Sequence, residues 1–192
     1  MQVALADLVS LAADLVRRED SRPEFLKPLQ PDPNVQLHRF LFELAREFKP
    51  HISLEIGTCA GAGAAHIATG YPEGTVITID IDPKAKKAVE GLWIPNVLAL
   101  VGDSIEVLDR LKWSPSIRML FIDGDHTYRQ AHAEYVGFRS SVVPGGLMLF
   151  DDILLNHEMR EFWGSVKDPK VELNNLHFSG FGAAIKDPKV RL

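Results

Sequence analysis

From residue 51 onward, short apolar runs alternate five times with segments of helical pattern, and each run stops at a glycine or an aspartate. The runs are HISLEI (51–56), TVITID (75–80), NVLALV (96–101), IRMLFID (117–123) and GGLMLFD (145–151). Helical patterns follow them to about Thr69, over 83–91, over 103–111, over about 127–140 and over about 156–163. Half-buried strands alternate apolar and polar residues, whereas these runs are apolar almost throughout, so both faces of their sheet must be covered. A strand–helix alternation of this kind gives an α/β domain with a parallel sheet and helices on both sides. VELNNLHF (171–178) and FGAAIK (181–186) flank the turn-forming pair Ser179-Gly180, which predicts an antiparallel edge on a mostly parallel sheet.

The first 50 residues differ in character. Leucine, valine and alanine recur at helical spacing over residues 2–18, and the four prolines between Ser21 and Val35 predict broken structure or a loop. Asn34 suits the cap of a helix over about 35–48, with Leu37, Phe40, Leu41, Leu44 and Phe48 as its apolar stripe and Pro50 as its end. A chain of 192 residues suits one structural domain, divided into N-terminal helices (1–50) and a core (51–192). The apolar faces of those helices suit either a cover over the site or a homodimer contact. The pentapeptide KDPKV occurs at 167–171 and again at 186–190, too short to be a structural repeat.

Composition excludes several functions. A net charge of −5, with no concentrated basic stretch beyond lysines 84, 86 and 87, argues against nucleic acid as partner. The single cysteine, Cys59, rules out an intramolecular disulfide and points to a reduced, cytoplasmic setting. Asp7 and Asp14 interrupt the N-terminal apolar pattern, which lacks a basic leader, and neither a signal peptide nor a membrane span is expected.

Between the first run and its helix lies Glu55-Ile56-Gly57-Thr58-Cys59-Ala60-Gly61-Ala62-Gly63. Glycines here allow a sharp turn and close approach of a ligand, and the helix start offers unpaired N–H groups. Ligands of open α/β sheets sit beyond the carboxyl ends of the strands, so a nucleotide-like site is expected. Asp80 closes the second run, where a carboxylate can accept hydrogen bonds from ribose hydroxyls, and Asp82 suits the cap of the next helix. Asp103 suits either a helix cap or contact with an adenine amino group.

This loop resembles motif one of class I S-adenosylmethionine (SAM)-dependent methyltransferases, with Glu55, Gly57 and Gly61 matching. The resemblance implies a Rossmann-like methyltransferase sandwich with a seven-stranded, mostly parallel sheet. It places SAM against Glu55, Gly57, Thr58, Gly61, Asp80, Ile81, Gly102, Asp103, Ser104 and Asp123. Glu55 would lie near the methionine portion, directly or through water, Asp80 on the ribose, and Asp103 with Ser104 beside the adenine. Cys59 is expected as a small packing residue.

FIDGDHTY (121–128) and LFDDI (149–153) form a second constellation. Asp123, Asp125 and His126 follow the fourth run, and Asp151 and Asp152 end the fifth. Neighbouring strand ends would crowd these carboxylates, and a divalent cation would relieve that cost; an all-oxygen set suits Mg²⁺, Mn²⁺ or Ca²⁺ better than zinc. The alternative is that Asp125 and Asp152 face solvent or cap helices. The two motifs are similar to those of the cephalosporin-hydroxylase-like and macrolide sugar O-methyltransferases and, more distantly, catechol and caffeoyl-coenzyme A O-methyltransferases. By that resemblance Asp123, Asp151 and Asp152 hold the metal, although catechol-type enzymes carry an aspartate–asparagine pair where this chain has two aspartates. His126 matches a proposed catalytic base, or else bonds a neighbouring carboxylate; His157 is a second candidate, and Tyr128 suits packing. The expected activity is methyl transfer to a hydroxyl of a small-molecule acceptor. An NAD(P)-binding oxidoreductase and a catalytically degenerate binding subunit are the alternatives.

Overall fold

The computed structural model describes residues 3–15, 17–29, 36–111 and 116–192. Its helices are α1 (Leu5–Asp14), α2 (Leu37–Phe48), α3 (Ala62–Gly70), α4 (Pro83–Gly91), α5 (Ser104–Leu111), α6 (Tyr128–Arg139) and α7 (His157–Ser165). The strands are β1 (Ile52–Ile56), β2 (Thr75–Asp80), β3 (Val97–Val101), β4 (Ile117–Ile122), β5 (Val142–Asp151), β6 (Lys170–Glu172) and β7 (Phe181–Ile185). They form one seven-stranded sheet in the order β3-β2-β1-β4-β5-β7-β6. Strands β1 to β5 pair in parallel, and β7 runs antiparallel to both β5 and β6. This is the Rossmann-like arrangement of class I methyltransferases.

Side chains alternate across each strand, and both faces are buried. Met119, Phe121, Leu147 and Leu149 join α1, α2 and α3 in one core, with Leu11, Phe40 and Ile67. Leu120, Ile122, Met148 and Phe150 join Tyr135, Phe138 and Phe162 of α6 and α7 in the other. Strand order reverses between β1 and β4, where the chain leaves β1 for one side of the sheet and β4 lies on the other. The strand ends diverge there and leave a crevice.

Differences from expectation lie mostly in the N-terminal and C-terminal thirds. The helix expected over 2–18 is shorter: its first turn is closed by the Asp7 carboxylate accepting from the Ala4 N–H at 2.8 Å. The proline-rich stretch contains a 3₁₀ helix (Glu24–Leu29) that buries Leu26. Asn34 lies outside the described residues; α2 starts after Gln36 and ends at Lys49, whose left-handed φ of 53° turns the chain before Pro50. The Pro144-Gly145-Gly146 segment is an irregularity inside β5, where Ile117 pairs with Val142 but Met119 with Leu147. Strands β6 and β7 do not meet at Ser179-Gly180. A longer connection, 173–180, joins them, because a turn from His177 to Gly180, with its N–H to O distance of 3.1 Å, is folded against the end of β5.

Candidate active site

The turn after β1 is set by contact with its neighbour strands. Gly57 N–H donates to the Ile79 carbonyl at 2.9 Å, and Asp123 N–H donates to the Ile56 carbonyl at 2.8 Å. Gly57 has φ of +94°, and a Cβ there would lie 1.8 Å from the Asp123 carbonyl oxygen, so only glycine fits. Cys59 adopts φ of 47° and its N–H donates to Asp80 Oδ2 at 2.9 Å, while Asp80 Oδ1 accepts from the Asp82 N–H at 2.8 Å. Asp80 is thereby fixed at the β2 end with lone pairs to spare. Asp82 caps α4 through the Lys84 N–H at 2.8 Å, as expected.

A cleft of about 670 Å³ opens at these strand ends. Gly57, Asp80, Ile81, Gly102, Asp103, Ser104 and Asp123 line it, as do Gly124, Asp125 and His126. Asp103 caps α5 by accepting from Ile105 and Glu106 N–H groups at 2.9 and 3.2 Å, and it also borders the cleft. Ile81 holds an apolar side chain out at the rim, 72% exposed.

Glu55, Thr58 and Gly61 stand behind the loop and not on the cleft wall. Thr58 and Thr78 share a buried hydroxyl pair at 2.6 Å, and the Thr78 hydroxyl also donates to Glu55 Oε2 at 2.5 Å. Burial pushes the Glu55 carboxyl up to about 8, against the Thr78 hydrogen bond, and Asp123 and Asp80 add repulsion. Gly61 opens α3 with φ of +83°, and a Cβ on it would meet Val89 at 2.8 Å. Cys59 departs from the expected packing role, because its left-handed turn leaves it exposed on the cleft side.

The second constellation assembles beside this cleft. His126 Nε2 lies 2.8 Å from Asp152 Oδ2 and 4.0 Å from Asp123 Oδ1. His177 Nδ1 lies 2.9 Å from Asp151 Oδ1 and 3.5 Å from Asp152 Oδ1. The Ser179 hydroxyl donates to Asp152 Oδ1 and sits 2.9 Å from His177 Nδ1. Asp152 adopts φ of 58°, a left-handed turn that carries its carboxylate between the two histidines. Donor atoms of Asp123, His126 and Asp152 lie within 4.8 Å of one another, and so do those of Asp151, Asp152 and His177. The expected three-aspartate set is thus two groups sharing Asp152, each with an imidazole. Burial holds Asp123 and Asp151 above the usual carboxylate range, whereas Asp123 and then Asp152 raise His126 to about 10. The Asp151 hydrogen bond raises His177.

Asp125 accepts from the Thr127 hydroxyl at 3.3 Å and belongs to neither group. His157 opens α7 and also stands outside both. Tyr128 stacks on His132, with ring centroids 5.3 Å apart, and packs against the core.

Four side chains escaped the sequence reading: His177, Ser179, Gln130 and Glu134. The first two come from the 173–180 connection, where the only signal was a histidine and a serine in a turn just before β7. Gln130 and Glu134 lie one helical turn apart on α6 and line the cleft. Glu134 is 2% exposed, and its Oε1 accepts from the Ser104 hydroxyl at 2.7 Å and Gln130 Nε2 at 3.0 Å.

With this geometry in view, known proteins place the chain. Residues 54–153 match a family described as a methyltransferase domain, and the chain belongs to that family. It is a class I SAM-dependent methyltransferase. Its fold is similar to that of a Staphylococcus aureus protein provisionally assigned as a caffeoyl-CoA O-methyltransferase, at TM-score 0.71 and 17% identity, covering 93% of this chain and 98% of that one. It is similar also to a Geobacter sulfurreducens methyltransferase (TM-score 0.69, 16% identity, 97% and 99% covered). A Bacillus cereus O-methyltransferase in complex with S-adenosylhomocysteine (SAH) aligns at TM-score 0.64 and 17% identity, covering 95% and 90%. Family membership sets aside the nicotinamide alternative. Among the described residues no helix is long and apolar enough to cross a membrane.

Proposed function

We propose that the protein transfers the methyl group of SAM to a hydroxyl of a small molecule, assisted by a divalent cation. The observation that carries this is the meeting of two features at one sheet edge: His126 and Asp123 line the cofactor cleft and also belong to the carboxylate–imidazole cluster. The ribose would rest on Asp80, the adenine between Ile81 and Asp103–Ser104, and the methionine portion over the Gly57 turn. Glu55 supports that turn from below, through Thr78, and does not touch the ligand.

The donor chemistry fits a cation. Three crowded carboxylates, two of them held above their usual range by burial, gain from a positive charge among them. Asp123, Asp151 and Asp152 would hold it with His177 alongside, a mixed oxygen–nitrogen set that suits Mn²⁺ as well as Mg²⁺. When bound, such an ion lowers the pKa of a coordinated hydroxyl. His126 stays protonated at neutral pH while Asp123 and Asp152 hold it. Those partners are also the proposed cation ligands; a cation drawing them off would let His126 release its proton to solvent, and its neutral imidazole would then be free to accept the acceptor's proton. The acceptor oxygen then takes the methyl group as the sulfonium bond breaks, leaving SAH and a methyl ether. Such a displacement needs alignment above all, and no covalent enzyme intermediate.

Calorimetric titration with SAM, in Mg²⁺ or Mn²⁺ and again in EDTA, tests both parts. Binding in every condition, with turnover of hydroxylated acceptors lost in EDTA, is the expected result. Asp151→Ala/Asp152→Ala should keep SAM affinity and lose cation-stimulated turnover by about 100-fold or more. Absence of SAM binding to the wild type would overturn the cofactor site; turnover indifferent to EDTA and to the double substitution would remove the cation.

A further inference from the structure

The wall of the cleft between α5 and α6 holds a buried polar network that the chemistry at Asp123 and His126 does not use. Gln130 Nε2 donates to Ser104 Oγ and to Glu134 Oε1, each at 3.0 Å, and the Ser104 hydroxyl donates to Glu134 Oε1 at 2.7 Å. Every side-chain hydrogen of this trio is spent inside it. Only acceptors remain: Glu134 Oε2, the Gln130 carbonyl oxygen and a lone pair of Ser104. Among the described residues Glu134 Oε2 is buried without any hydrogen-bond partner, on a residue that is 2% exposed and lines the cleft. A carboxylate oxygen left so is costly unless something donates to it. Gly124 keeps the approach clear, because a Cβ there would stand 3.5 and 3.7 Å from the two Glu134 oxygens.

We infer that Glu134 reads the base of the cofactor, its Oε2 accepting a hydrogen from the exocyclic 6-amino group of adenine. The inference rests on the SAM site proposed above and adds a specificity-determining residue to it. A wall that offers only acceptors pairs with an amino group and repels a 6-oxo group, so purines with a carbonyl at that position are rejected. Asp103, at the end of β3 next to Ser104, brings a second acceptor to the same end of the cleft.

Glu134→Gln gives a signed test. The two hydrogens that converge on Oε1 require the glutamine carbonyl at that place, which turns the amide NH₂ toward the cleft and converts an acceptor into a donor. Kd values for SAH, for its 6-oxo (inosyl) analogue and for the analogue lacking any 6-substituent are measured by calorimetry on the wild-type protein and the variant. The wild type should prefer SAH to the 6-oxo analogue by about 100-fold or more and to the 6-unsubstituted analogue by about tenfold. In Glu134→Gln the preference over the 6-oxo analogue should fall by at least about 30-fold. Asp80→Ala should weaken all three ligands alike and leave their ratios unchanged. An unchanged SAH/6-oxo ratio in a folded Glu134→Gln protein overturns the inference. So does a wild type indifferent to loss of the 6-amino group, a comparison that needs no variant to fold. Failure of SAH itself to bind the wild type overturns instead the cofactor reading beneath it.

Discussion

A single buried carboxyl shows how this site couples chemistry to stability. Glu55 lies beneath the cofactor turn, and its pKa rises from an ordinary 4.5 to about 8 because burial penalises the charged form. The folded protein therefore keeps a proton that the unfolded chain releases. Stability from this group is full below the unfolded value and is lost as pH rises through about 8. Glu55→Gln should remove that slope. Its amide can donate to Thr78 Oγ and accept from the backbone beside it, so the variant should match the wild type in acid and exceed it in base. Urea midpoints measured below, within and above the window check this; parallel pH profiles would show that Glu55 is ionised in the fold. At this scale the sequence marked the residue beside the turn, and the fold set its surroundings: strand alternation sends the Glu55 carboxyl under the loop, where it is buried.

Among the elements, the KDPKV pair acquires a physical account. Because β6 and β7 are antiparallel, the copy that runs into β6 and the copy that follows β7 come to the same end of the sheet. Arg139, from the end of α6, clips them together: Nε and Nη2 donate to the Asp168 carboxylate at 2.7 Å each, and Nη2 donates to the Asp187 carbonyl at 2.7 Å. Tyr135 and the Asp187 N–H complete the shell of Asp168, which is 2% exposed. Asp168→Ala leaves a mostly buried guanidinium without its partner and should cost about 3–5 kcal/mol. Denaturant titration reads that loss, and a change under about 1 kcal/mol would deny the clip its structural role. The 173–180 connection was the least legible element. Its residues have no periodicity, and their places above Asp151 and Asp152 follow from the register that sets Asp151 opposite Phe181.

At the scale of the whole molecule, one sheet joins the N-terminal helices to the core. Leu8, Leu11 and Leu15 pack into the same cluster as Phe40, Met119, Phe181 and Ala183, linking the first helix to strands from the middle and the end of the chain. We therefore expect residues 1–50 and 51–192 to unfold together, in one transition. SAM, binding only the folded form, should raise stability by about 2.7 kcal/mol at one hundred times its Kd, which is roughly 5–10 °C in Tm for a domain of this size. Calorimetry that resolves two transitions, only one of them moved by SAM, would separate the helices from the core.

The sequence by itself determined the five strand–helix repeats, the parallel centre of the sheet, the glycine turn and the acidic strand ends. These are local: apolar continuity, glycine and aspartate announce themselves over a few residues. Tertiary structure alone decided which acids face the cleft, and that Asp152 stands between His126 and His177. It decided too that a serine, a glutamine and a glutamate from α5 and α6 form one acceptor wall. Such relations join elements through residues 25 to 30 positions apart, and only the packing of those elements brings their side chains within hydrogen-bond reach.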